Sequence, residues 1–458
     1  MNDVHLVNQL SHVRRIKMRS MPKTLNVSSQ SVLLTSSGVV AYLSLTHMVS
    51  DAITHIFSAL LPTLQYRFGL TEAMLALLVA TLAFSSSVTQ PIFGALADRF
   101  GHVRVGALGV ILNATLLSLI GIVPTLYLLF GLLLIGGLGS AALHPAGASL
   151  ARAAGGTKAE YAVSLFSAGG TLGIALGPVI VLILVANFEL SFTPWLMLPA
   201  VALGLLMFFV ILPQDQEASK FSNSEARIFD FQLLTGPIGL LALAGILSGV
   251  AFVTFTSAIP LWLVQTHGLK YDDPLIGWTL AVFTLSAALG GVGAGLLSRR
   301  VNQRHLVTGS LLLALFPLFA LFAQEPGTLL FFLMVVLAGG LVHASLPLMI
   351  VSAQDLAPRA AATASGMLMG FAGGMAGILY IGIGYLQQLI GLAPAIRLSY
   401  LTLIPAAILA FYVLTKFDTS VDPAKQAPIV ALSCLCSPSL SANISTCPCR
   451  AKNAKQNF

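Results

Sequence analysis

The sequence predicts an all-α polytopic membrane protein with twelve transmembrane helices arranged as two six-helix pseudo-repeats. Three observations predict it. Twelve long apolar stretches follow one another. Only 9% of the 458 residues are charged, while 57% are hydrophobic and the mean hydropathy is +0.91. Lysine and arginine are confined almost entirely to alternate gaps between the stretches. About 20 apolar residues cross the hydrocarbon core as a helix. A soluble domain carries roughly 25% charged residues, so a water-facing surface of this size cannot be built here. Membrane strands would alternate apolar and polar residues, whereas Leu128–Ile135 is apolar on every face. Helices also satisfy every backbone N–H and C=O inside lipid.

The spans are expected near 36–61, 71–97, 103–123, 125–150, 160–188 and 192–213, then 235–265, 274–298, 304–323, 327–354, 360–388 and 393–416. With the N-terminus in the cytoplasm, all but three of the 23 basic residues fall on the cytoplasmic side; the exceptions are Arg67, Lys270 and Arg397. That is the positive-inside rule acting loop by loop. The net charge of +7 therefore reads as topology, with the lipid bilayer as partner and no nucleic acid. Both termini are expected in the cytoplasm of a multi-pass plasma-membrane (inner-membrane) protein. A basic tail (1–35) precedes the first bundle (36–213). A polar linker (214–233) leads to the second bundle (234–416) and a disordered tail (417–458). That tail holds all four cysteines, Cys434, Cys436, Cys447 and Cys449, in Cys-x-Cys pairs that lack the spacing of common zinc sites. No metal site is expected.

Span 1 reads His47-Met-Val-Ser-Asp51-Ala-Ile-Thr-His55. Steps of four residues spread the three ionisable groups over roughly 80° of a helix. An Asp at the centre of a membrane helix costs about 2.5–3.5 kcal/mol on insertion scales, so such residues face a bundle interior or a wet cavity and mark ion or substrate paths. Asp51 is expected to be a proton-coupling carboxylate tuned by His47 and His55. Burial and imidazolium neighbours act on its proton affinity in opposite senses, which makes the face pH-responsive. Mutual pairing of Asp51 and His55 is the structural alternative.

The loop after span 2 reads Gly94-Ala-Leu-Ala-Asp98-Arg99-Phe-Gly101-His-Val-Arg104. It resembles the G-x-L-a-D-r-x-G-r-k signature of the major facilitator superfamily, with His102 and Val103 at the two basic positions and Arg104 one residue late. The resemblance covers the whole twelve-span core and implies the major facilitator fold. It implies too that Asp98 contacts the N-terminus of span 11 and holds the outward-open state, with Arg99 and Arg104 in the same gate. Gly94 would permit close helix approach. Arg299 stands where a second copy would repeat Asp98.

Span 4 ends in Leu143-His144-Pro145-Ala146-Gly147, followed by Arg152. Proline frees a backbone carbonyl and opens the helix locally. Span 10 brings His343 to a comparable depth, and span 7 brings Thr254, Thr256 and Ser257. In the superfamily, spans 1, 4, 7 and 10 line the central cavity, which implies substrate contacts for His144, His343 and these hydroxyls. His47 with Asp51, and His144-Pro145 followed by Arg152-Ala153, look like the fosmidomycin resistance protein family of drug efflux transporters. His-Pro is commonly followed there by Glu, where this chain has Ala146. Span 5 carries Gly173-x-x-x-Gly177-Pro178, similar to the antiporter signature of drug exporters and equally readable as helix packing.

Glycine matches suggest duplication. Gly94, Leu96 and Arg99 correspond to Gly295, Leu297 and Arg300; Gly136-Gly137-Leu138 corresponds to Gly339-Gly340-Leu341; Gly169-Gly170 corresponds to Gly373-Gly374. Two six-helix repeats around a midplane site is the layout of many secondary transporters. No His-Glu-x-x-His, Gly-x-Ser-x-Gly or Walker-type loop appears, so the expectation is no enzyme and no cofactor, with a proton gradient as the energy source. The function expected is proton-coupled efflux of a small organic compound or drug such as fosmidomycin, by a monomer that rocks 36–213 against 234–416. Uptake of a small metabolite, an organic anion or a sugar, is the alternative.

Overall fold

A computed structural model describes residues 36–210, 236–357 and 361–417. The basic N-tail, the linker, Arg359 and the cysteine-bearing segment lie outside the described residues. Those described fold as helices with no strand among them. Twelve helical segments follow the apolar stretches. α1 is Ser36–Phe68. α2 runs from Glu72–Ala83 through a π turn at Phe84–Val88 into Gln90–Phe100. α3 is His102–Ser118, α4 Leu126–Gly155, α5 Ala159–Phe188 and α6 Met197–Val210. α7 is Pro237–His267, α8 Pro274–Leu297, α9 Gln303–Ala320 and α10 Leu329–Leu356. α11 joins Ala361–Gly366, a π turn at Met367–Phe371 and Ala372–Ile390; α12 joins Leu392–Tyr400 and Leu403–Lys416.

Eleven of these are long and apolar enough to cross a membrane; α1 alone falls short of that measure. Its polar residues explain this, and so does its position. Ser50, Asp51, Thr54 and His47 are all buried by protein, so α1 does not need a lipid-like surface. α1 also extends seven residues past the expected end. Gln65, Tyr66 and Arg67 lie in this added turn, and Arg67 donates to the backbone carbonyls of Gly121 and, at 2.9 Å, Val123 at the end of the third span. Cations are favoured at such carbonyl ends.

The two halves repeat each other. α1 lies along α5 as α7 lies along α11, α3 packs on α4 and α6 as α9 packs on α10 and α12, and α2 packs on α4 as α8 packs on α10. Caps recur at matching places. Thr71 caps α2 and Asp273 caps α8; Thr125 caps α4 and Thr328 caps α10. An oxygen at the N-cap satisfies N–H groups that the helix leaves open.

Glycine sets the closest packing. A Cβ on Gly169 would stand 2.3 Å from the Ser44 carbonyl oxygen, one on Gly173 2.0 Å from that of Met48, and one on Gly177 2.2 Å from that of Ala52. Glycine every fourth residue thus lays α5 against the backbone of α1. Gly94 is different: a Cβ there would meet Pro145 at 3.6 Å, an ordinary contact, so close approach does not itself demand glycine. Gly101 does need to be glycine, because its φ of 97° turns α2 into α3.

Between halves, α2 packs on α11 and α5 on α8. The two π turns meet at the first of these crossings. One end is latched by polar contacts. The Gln265 amide donates to Gln65 at 3.1 Å and to Glu72 at 3.2 Å, Thr63 donates to the Tyr271 carbonyl at 3.2 Å, and the rings of Tyr66 and Tyr271 stack at 5.2 Å. At the opposite end Asp98 is exposed, and its ion-pair partner among the described residues is His102 at 3.3 Å. The implied contact of Asp98 with the N-terminus of span 11 borders residues 358–360, which lie outside the described residues.

Gly173→Ala is expected to destabilise the protein by about 1–3 kcal/mol through overpacking, seen as a lower melting temperature in detergent. Gly382→Ala on α11, where no atom lies within 4 Å of the added Cβ, should leave it unchanged.

Candidate functional site

The site forms where α1, α4 and α5 meet. The Asp51 carboxylate is 4% exposed. Its Oδ2 faces His47 Nε2 at 3.2 Å, and its Oδ1 faces His144 Nε2 at 3.5 Å. The two imidazoles meet edge to face at 4.9 Å, and the His47 ring stacks on Phe166 of α5 at 4.1 Å. The facing nitrogen and oxygen atoms of the three residues lie within 4.8 Å of one another, the one such grouping among the described residues.

Each ring is fixed by its other nitrogen. His47 Nδ1 donates to the Phe166 carbonyl at 2.8 Å, and His144 Nδ1 donates to the Ser140 carbonyl at 2.7 Å. A carbonyl only accepts, so both Nδ1 atoms carry hydrogen. Gly170 completes the pocket floor: a Cβ there would stand 2.4 Å from His47 Cε1 and 2.8 Å from Asp51 Oδ2. Gly170, next to the packing glycine Gly169, thus leaves room for the His47 ring and the Asp51 carboxylate.

His55 lies on the same helix face but pairs differently. Its Nδ1 donates to the backbone carbonyl of Asp51 at 2.9 Å, the main chain and not the carboxylate. The i, i+4 spacing that brings His47 to the acid also brings His55 to the preceding carbonyl, a local bond that competes for the ring. His144, assigned from sequence to the substrate cavity, is the second partner of the acid and keeps 29% of its side chain exposed.

The remaining predicted residues spread out. His343 is half-buried against Phe252 of α7, ring centres 5.3 Å apart. Pro145 faces Gly94 as Pro347 faces Gly291. His343 sits a turn before Pro347, whereas His144 immediately precedes Pro145. Thr254 and Ser257 are buried, and Thr256 spends its hydroxyl on the Phe252 and Val253 carbonyls of its own helix. Ala146 is buried against Gly106 of α3. Arg99 covers the Phe100 ring at 5.3 Å, and Arg104 and Arg152 are exposed. Pro178 is buried at the α5–α8 crossing, where its carbonyl approaches Gly277.

Asn113 was not singled out from the sequence. It is fully buried on α3 and donates to the Ser50 carbonyl at 3.1 Å, Ser50 Oγ at 2.9 Å and Thr54 Oγ1 at 3.1 Å. It holds the turns of α1 on either side of Asp51. A lone amide within the apolar run Val110-Ile-Leu-Asn-Ala was the available signal. Asn113→Ala should cost about 1–3 kcal/mol for the polar groups left unpaired, measured as a lower melting temperature in detergent.

Residues 43–377 and 241–446 match the family model of the Major Facilitator Superfamily. The chain is similar to the Fosmidomycin resistance protein of Escherichia coli (strain K12), 26% identical over 75% of this chain and 85% of that one. It is also similar to the uncharacterized MFS-type transporter YfnC of Bacillus subtilis (strain 168), 29% identical over 81% of this chain and 92% of that one. Among solved structures, a bacterial homolog of the human lysosomal transporter Spinster, inward-facing and occupied, matches with a TM-score of 0.68 at 16% identity, covering 83% of this chain and 97% of that one. The nucleoside transporter NupG matches with a TM-score of 0.65 at 16% identity, covering 83% and 99%. These neighbours share the fold. A twelve-helix duplicated bundle matched by the family model over most of its length belongs to the Major Facilitator Superfamily.

Proposed function

We propose that this chain is a secondary active transporter of the plasma membrane that exports a small organic compound or drug, such as fosmidomycin, in exchange for protons. The observation that carries this reading is the Asp51 carboxylate, buried and flanked by two imidazoles within the membrane-crossing bundle. A carboxylate at such depth is costly to keep charged, so its proton occupancy responds strongly to whatever else enters the site. Gradient coupling requires that proton and substrate bias two conformations differently, and this acid is placed to supply that bias.

With both termini cytoplasmic, the end latched by Gln65, Glu72 and Gln265 faces outward. The Asp98 end then faces the cytoplasm, where the drug enters. In this orientation Asp98 with Arg99 and Arg104 acts at the inner gate, and breaking the outer latch accompanies release. The likeness to the fosmidomycin resistance protein supports the drug class. The absence of lysine and arginine from the middle of the helices argues against phosphate-ester exchange.

The test is transport in proteoliposomes with an imposed pH gradient, using fosmidomycin and a panel of lipophilic drugs. At least one compound should move uphill, in the direction opposite to protons. Asp51→Asn should reduce gradient-driven movement to the level of empty liposomes while downhill exchange persists. An Asp51→Asn protein that still accumulates the compound against its gradient refutes the coupling role, and co-directional movement of compound and protons refutes export by exchange.

A further inference from the structure

We propose that the Asp51 centre loads two protons, one in each imidazole–carboxylate contact, with His144 as the second carrier. This deepens the proton-exchange reading above and rests on it for its use in transport. The argument is one of donors and acceptors. His47 Nδ1 is committed to the Phe166 carbonyl and His144 Nδ1 to the Ser140 carbonyl. In a neutral imidazole the hydrogen is on one nitrogen and the other offers a bare lone pair. Both Nε2 atoms are therefore bare when the rings are neutral, and both face Asp51.

An ionised carboxylate is also only an acceptor. With no added proton, each contact sets a lone pair against a lone pair. One proton, on either Nε2 or the facing oxygen, converts one contact into a hydrogen bond and leaves the other repulsive. The two contacts use different oxygens, Oδ2 for His47 and Oδ1 for His144, so a single proton cannot serve both. Two protons satisfy them. His47 Nε2 and Asp51 Oδ1 are both buried, and the groups each of them faces are those of the centre itself. The centre carries one negative charge empty and one positive charge loaded.

The groups around it do not supply the missing hydrogens. On α1, His55 is committed to the Asp51 backbone carbonyl. From α5 come the Phe166 carbonyl and the bare backbone of Gly170. From α3 comes the Asn113 amide, spent on Ser50 and Thr54. α4 adds His144 itself, and α6 and the facing turns of α7 bring no lysine, arginine, aspartate or glutamate. His343 stands in the other half against Phe252.

The test counts protons without using a transported compound. The full chain in detergent is taken from about pH 9 to about pH 5, a window that brackets the ordinary imidazole range, in weak buffer with a pH indicator. The wild type should take up about two more protons per chain than a His47→Gln, Asp51→Asn, His144→Gln triple variant, and His144→Gln alone should lose part of that difference. An excess of one or none overturns the proposal. Nitrogen-15 NMR of histidine-labelled wild type, with His47 and His144 assigned by their single variants, guards against a triple variant that fails to fold. Both rings should carry their neutral-state hydrogen on Nδ1; finding it on Nε2 of either ring also overturns the proposal. A chain that loads two protons but exchanges no drug would instead count against the transport reading alone.

Discussion

The burial of one carboxylate constrains the rest of this molecule. Asp51 sits in the middle of a helix that crosses the bundle, and among the described residues no lysine or arginine pairs with its charge. Imidazoles are the partners provided, one from the same helix and one from α4. Unlike a guanidinium, an imidazole gains and loses its charge near neutral pH. The result is a buried acid held between two imidazoles from different helices.

Much of the N-terminal half serves to make that burial possible. Gly169, Gly173 and Gly177 bring the α5 backbone onto α1, and the neighbouring Gly170 leaves space for the His47 ring and an Asp51 oxygen. Phe166 gives its carbonyl to one imidazole nitrogen and its ring to the imidazole face. Asn113 pins the polar turns of α1 from the other side. These are contacts between backbones and fixed rings, so the cluster is held with little freedom on its own half. The π turns and the polar latch, by contrast, lie where the halves meet, and these are the places where relative movement would be absorbed. The apolar hollow of about 150 Å³ beside Met48, Ala52 and Ile180 lies among the same helices without a polar group to act on.

The fold was legible because hydropathy and loop charge are long-range averages that a membrane imposes on every span. The face of span 1 was legible too, since a spacing of four is a property of the helix itself. What lay beyond reading was set by helix crossing. His144 meets Asp51 because of how α4 leans on α1, and no spacing within one span encodes that. His55 shows the opposite limit: it shares the face of the acid, yet a local carbonyl takes its ring. Thr254 and Ser257 are polar residues on a helix of the right number, but their rotation about its axis buries them.

The account stands or falls on whether the protonation of this cluster chooses between two arrangements of the halves. Spin labels at Lys158→Cys and Arg300→Cys, in a chain whose four tail cysteines are replaced by serine, report the separation of the halves at the Asp98 end. Pulsed electron-spin distance measurements in lipid nanodiscs should give a distribution that shifts with pH in the otherwise native chain and stays fixed in the Asp51→Asn background. Distances that ignore pH, or that shift equally without the carboxylate, would contradict it.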